Sequence, residues 1–192
     1  GETKVIKQSA QVENPALWSV ENPYLYSLAS MIKRGTATTD EVTTPFGIRT
    51  ISWPVKRNDG DGRFYLNNQP YFQRLVLDQG FYPEGICTAP SDEDLQNDIV
   101  LGKEAGFNGA RLHQKVFEER YYYWADKLGY ITWGESASWM LDVNKELAAR
   151  NFLGEWSEVV VRDRNHPSLV TWTPFNETWG GGPDAYVRLV RD

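Results

Sequence analysis

The pair Asn176-Glu177 is where this sequence best supports chemistry. It stands at the far end of an apolar run, Leu169 to Phe175, entered by the turn Asn165-His166-Pro167-Ser168. β-Branched and aromatic residues in an unbroken run predict a strand buried on both faces. A carboxylate and an amide where such a strand ends, with Trp179 just beyond, occupy the place where parallel α/β proteins carry out acid-base chemistry. The plainer structural reading is that Glu177 caps the next helix. Three other stretches end in a comparable way. One strand ends in Asp78-Gln79, another carries Arg111 and ends at His113-Gln114, and a third ends in Gly134-Glu135 with Trp139 just beyond. Carboxylates, amides, an Arg, a His and two Trp suit a polyhydroxylated ligand: polar groups for hydroxyls, aromatic faces for the apolar side of a sugar, and a carboxyl for proton transfer. Each also has a structural reading. Asp78 can cap a turn, Arg111 can be an internal ion-pair partner, His113 can be a satisfied structural His, and Glu135 can pair with Arg111. The convergence at strand ends is what favours a site.

The elements that must position these residues fall into two regimes. Residues 1–62 are strand-like and rich in turns: Lys4–Gln8, Tyr24–Lys33 and Asp40–Ile51 alternate or carry β-branched residues, punctuated by Pro15, Pro23 and Pro45. They read as the last strands of a β-sandwich, with the cluster Asn58 to Gly62 as the boundary. From residue 63 a hairpin turning at Asn67-Asn68 precedes alternating strands and helices. The strands are Arg74–Leu77, Phe107–Leu112, Tyr130–Trp133 and Leu169–Phe175. Helices follow: one capped by Ser91 and closed by Gly106, Glu118–Leu128 closed by Gly129, Asn144–Arg164, and one from Asp184 onward. Such β-α units imply parallel strands with right-handed crossovers. A doubly wound sheet and a (β/α)8 barrel both fit. The missing Gly-rich fingerprint weakens the nucleotide-binding version, and residues 63–192 amount to half of a barrel of about 250 residues.

Composition narrows the function. The chain has 192 residues, a net charge of −6 and a single cysteine, Cys87, which excludes an internal disulfide. Its acidic balance argues against nucleic acid or an anionic membrane surface, and no apolar stretch reaches membrane-spanning length. His113 has no near-spaced Cys or His partner, so no metal site is expected, and no glycine-rich nest offers a phosphate site. No cofactor is expected. Aromatics make up 14% of the chain, including eight Trp, an excess that suits either sugar stacking or a large core. The chain starts without Met and stops inside a helical pattern, and it reads as an excised segment. The compartment is left open.

Taken together, these residues resemble glycoside hydrolase family 2, the family of β-galactosidases, β-glucuronidases and β-mannosidases. Asn165-His-Pro-Ser-Leu-Val-Thr-Trp-Thr-Pro-Phe-Asn-Glu-Thr-Trp is similar to that family's fourth-strand signature, and Gly106-Phe-Asn-Gly-Ala-Arg-Leu-His to its second strand. Pro15-Ala-Leu-Trp-Ser-Val-Glu-Asn-Pro-Tyr-Leu-Tyr resembles the end of the immunoglobulin-like sandwich that precedes the barrel. Phe46-Gly-Ile-Arg and Phe64-Tyr-Leu-Asn-Asn-Gln-Pro resemble the joint between the two domains. Asp78-Gln-Gly-Phe-Tyr-Pro-Glu-Gly departs from the β-galactosidase pattern.

The resemblance implies a partial barrel of about four β-α units behind sandwich strands, and retaining cleavage of β-glycosides by two carboxylates about 5–5.5 Å apart. Glu177 is then the acid/base. Asn176 binds the sugar 2-hydroxyl, Arg111 orients the nucleophile, and His113, Asp78, Glu135, Trp139 and Trp179 line the substrate site. The nucleophile belongs to a later strand. The expected partners are a carbohydrate substrate and either the remainder of the barrel or a second copy at the open barrel edge. Two rivals stand beside this reading. A non-catalytic carbohydrate-binding barrel would keep the face without the chemistry, and an amidohydrolase would need clustered metal ligands.

Overall fold

The structure is a computed structural model that describes residues 2–53, 62–177 and 184–191. Two antiparallel assemblies come first. Strands β1 (Tyr26–Arg34) and β2 (Ala37–Phe46) form a hairpin, and β3 (Ile51–Ser52), β4 (Tyr65–Leu66) and β5 (Gln69–Pro70) form a small sheet. A parallel sheet follows: β6 (Leu75–Asp78), α1 (Asp92–Glu104), β7 (Gly109–Leu112), α2 (Glu119–Leu128), β8 (Ile131–Glu135), α3 (Glu146–Asp163), β9 (Leu169–Thr173) and α4 (Asp184–Arg191). The parallel strands lie in the order β6-β7-β8-β9, without reversal. The fold is thus mixed α/β, a parallel sheet preceded by antiparallel strands.

Local chemistry explains most of these boundaries. Ser91 caps α1 by accepting from the Asp94 amide, with three acids in the first turn. Gly129 ends α2 in the left-handed region at φ 68°. Asn67 and Asn68, at φ 53° and 63°, make the two-residue turn between β4 and β5.

Three expectations change. Lys4–Gln8 is not a strand: among the described residues nothing pairs with its N–H and C=O groups, and Val5 and Ile6 are exposed. The stretch predicted over Asp40–Ile51 is broken at Gly47, so β2 ends at Phe46 and β3 starts at Ile51. The apolar run Leu169–Phe175 forms a strand only to Thr173, because Pro174 has no N–H to donate. Only Leu169 and Val170 of β9 are fully buried. The expected boundary at 58–62 lies mostly outside the described residues.

Period-2 alternation sorts the parallel sheet into two faces. Ala110, Leu112 and Leu169 face the helices and pack with Leu95, Ile99, Tyr121 and Tyr122. Ile131 and Val170 face the other way, where Trp18, Phe64 and Leu66 cover the start of the strands. That second face carries Arg111 between Ala110 and Leu112, and Glu135 in step with Ile131. An irregularity in the β8/β9 pairing between Thr132 and Trp133 lets Leu169 and Trp172 both turn towards the helices.

Candidate active site

Three neighbouring strands bring their ends together. Arg111 on β7 forks onto Glu135 at the end of β8, with Nε donating to Oε2 at 2.7 Å and Nη2 to Oε1 at 3.1 Å. His113, just past β7, places Nδ1 2.7 Å from the same Oε1. Arg111 Nη2 also donates to Asn176 Oδ1 at 2.5 Å. The Glu135 side chain has no solvent access, and its carboxylate is surrounded by charge-assisted donors. A carboxylate so enclosed holds its neighbours in place and is not exposed for a reactant.

This arrangement sets the orientation of Asn176. With Oδ1 taken by Arg111, its amide NH2 is left to donate outward, and its backbone N–H donates to Ser138 Oγ at 3.2 Å. Ser136 Oγ donates to the Pro174 carbonyl at 2.5 Å, which ties the same loop to the chain leaving β9. Glu177 follows in the left-handed region at φ 47° and is exposed. A non-glycine residue held there is strained, a cost that clusters at functional sites. Between the loop after β8 and Glu177 lies a groove of about 390 Å³, lined by Ser138 to Asp142, Asn176 and Glu177. Trp139 presents its ring there, 69% exposed. An exposed indole beside amide and carboxyl groups is an arrangement that can hold one face of a sugar.

Asp78 does not join this cluster. It shares strand parity with Val76, which packs on the helix side, so its carboxylate accepts from Gly80 N at 2.8 Å and Tyr121 Oη at 3.3 Å. Burial, then the Asp78 charge, raise the Tyr121 phenol well above its ordinary value, so it stays a donor. Trp179 lies outside the described residues. Sequence reasoning missed Ser138, since a lone serine in a loop carries no pattern. It also missed Lys115, whose Nζ donates to the carbonyls of Gly80 at 3.1 Å and Cys87 at 2.6 Å and so ties down the loop after β6. Among the described residues no group of three or more His, Cys, Asp or Glu stands where it could hold a metal ion.

The parallel-strand ends thus gather an Arg–Glu ion pair with a fully buried carboxylate, an amide held by that Arg, an exposed carboxyl and an exposed aromatic face. The chain is similar to the family 2 glycosyl hydrolases, whose family model matches residues 1–49. It is 31% identical to a β-galactosidase of Bacteroides ovatus over 96% of its length, covering 22% of that protein. It is 33% identical to a β-galactosidase of Lactococcus lactis subsp. lactis over 88% of its length, covering 17% of that protein. Among solved structures it resembles an FMN-binding β-glucuronidase from Facaelibacterium prausnitzii L2-6, with a TM-score of 0.81 and 26% identity over 93% of this chain and 27% of that one. The chain therefore spans less than a quarter of the curated relatives it matches.

Proposed function

We propose that this chain is the acid/base-bearing part of a retaining β-glycoside hydrolase. Residues 1–62 are the closing strands of an immunoglobulin-like sandwich, and residues 63–192 are the first half of a (β/α)8 barrel. The sequential strand order β6-β7-β8-β9 supports the barrel, since a doubly wound sheet reverses order at its switch point.

The observation that carries the reading is Asn176, fixed by Arg111 beside the exposed Glu177 at the carboxyl ends of the strands. Glu177 protonates the departing oxygen and later takes a proton from water. Asn176 donates its free amide to the sugar 2-hydroxyl. Glu135, itself bonded by His113, holds Arg111, whose Nη1, without a partner among the described residues, remains for the nucleophile. That second carboxylate comes from a later strand. Trp139 stacks on the substrate.

Glu177→Ala in the whole protein tests the reading. Substrates with poor leaving groups should lose most of their turnover, while an activated aryl β-glycoside, whose leaving group needs little protonation, should still glycosylate the enzyme. Azide should then speed release and give the β-glycosyl azide. An α-azide, or an equal loss for every leaving group, makes Glu177 the nucleophile. A whole protein that binds sugars and hydrolyses none is the non-catalytic binding barrel.

A further inference from the structure

We infer that Arg49 is a positioning residue for β9, so that the seating of the N-terminal segment sets where Asn176 and Glu177 stand. Arg49 lies in the irregular link between β2 and β3. Its Nε donates to the Pro167 carbonyl at 2.7 Å and its Nη2 to the Leu169 carbonyl at 2.6 Å. The carbonyl between them, on Ser168, accepts from Thr132 N of β8 at 2.8 Å. Successive carbonyls of a strand face opposite edges. Arg49 therefore occupies the outer edge of β9 at its base, giving two carbonyls the donors that a neighbouring strand would supply. A guanidinium suits this task because it offers two N–H groups in a rigid fork, which an ammonium does not.

The turn into β9 is held from its other side as well. Ser168 N donates to Asp126 Oδ1 at 2.9 Å, and His166 Nδ1 sits 2.6 Å from Asp126 Oδ2. Trp18, fully buried in the N-terminal segment, donates its indole N–H to the Asp126 carbonyl at 2.8 Å. The segment also seats directly on Pro167, since a Cβ added at Gly47 would come 2.8 Å from the proline ring. The entry to β9 is thus clamped between α2 and a segment more than a hundred residues away in sequence.

The clamp matters at the other end because the register of β9 on β8 is not uniform. Its pairing with β8 already contains an irregularity between Thr132 and Trp133, and a one-residue slip in a strand turns every side chain to the opposite face. From Leu169 the chain runs as a strand to Thr173, and only Pro174 and Phe175 separate that strand from Asn176. Arg111 reaches Asn176 only while β9 keeps its place.

The catalytic consequence rests on the glycosidase reading, but the positioning does not, and two readouts in the whole protein separate them. Hydrogen exchange over residues 169–176 should quicken about tenfold in Arg49→Met and less in Arg49→Lys, while α1 and β6 keep their protection. Turnover of an aryl β-glycoside should fall about tenfold in Arg49→Met with KM little changed, and added guanidinium ion should restore part of it. If the glycosidase reading fails, wild type shows no turnover but the exchange result still stands. Unchanged exchange over 169–176 in a folded Arg49→Met protein overturns the inference. So does a loss expressed only in KM, or an Arg49→Met protein that does not fold, which would make Arg49 a determinant of the fold as a whole.

Discussion

Glu135 is the residue on which the site's geometry depends. Its carboxylate is sealed from water and receives both arms of the Arg111 fork and the His113 ring. Burying a charge is costly, and removing one partner of a buried pair leaves the other uncompensated. Glu135→Gln keeps the shape, loses the charge and turns an NH2 towards one of the donors. We expect it to lower unfolding free energy by about 2–4 kcal/mol in urea titration, the lower end reflecting the partly exposed Arg111. A loss under about 1 kcal/mol would show that water screens the pair. The Arg111–Glu135 pairing was legible in sequence as the structural alternative for both residues, and it is compatible with the proposed site because the same Arg111 holds Asn176. The helix-facing position of Asp78 was also legible, from its shared parity with Val76, but reading strand ends as all converging hid it. Ser138 was not legible, because its contribution is one acceptor placed by a loop conformation that no pattern encodes.

Among the elements, the turn Asn165 to Ser168 and the end of α2 hold the antiparallel and parallel regions together. Gly129 ends α2 at φ 68°, and a Cβ there would meet the Val20 carbonyl at 2.2 Å. Gly129→Ala should therefore cost more than about 1 kcal/mol through backbone strain and push the N-terminal segment away, detectable as a lower thermal midpoint. His166 adds a pH dependence. Burial disfavours its charge, but the hydrogen bond to Asp126 and the charges of Asp126, Asp163 and Glu119 outweigh burial, raising the pKa above the ordinary 6.5. A raised folded-state pKa contributes stability that is complete below the unfolded value and is lost as pH rises through the folded one. The thermal midpoint should therefore fall as pH increases above about 6.5. His166→Gln should flatten that dependence, and an equally steep slope in the variant would assign it elsewhere. Caps and closing glycines made the helices readable, since Ser91 and Gly129 act through local geometry. The short β9 and its irregular register were less readable. They depend on β8 across the sheet, and on Pro174 weighing more than the apolar character of the run.

At the scale of the whole molecule, the parallel sheet has two open edges. β6 and β9 each have one neighbour among the described strands. Backbone N–H and C=O groups along such an edge are satisfied by water only where side chains let water in. Arg49 covers the base of β9 but not its upper part, and among the described residues nothing comparable guards β6, where Leu77 is 52% exposed, nor Phe81 just beyond it, 63% exposed. The β1–β2 hairpin exposes Leu28, Met31, Ile32 and Val42 as well, so both halves present apolar surface. Parallel sheets are stable when both faces and both edges are covered, and a closed barrel removes the edges altogether. The chain of residues 1–192 on its own should therefore associate through these edges, with its sedimentation coefficient rising over a concentration series. A lysine substitution at Phe81, which lies outside the Arg111–Glu135–Asn176 cluster, should weaken that association, because a charge beside an edge resists strand addition. A clean monomer at high concentration, with the native apolar edge intact, would mean that the edges are closed in some other way and would count against the proposed half barrel.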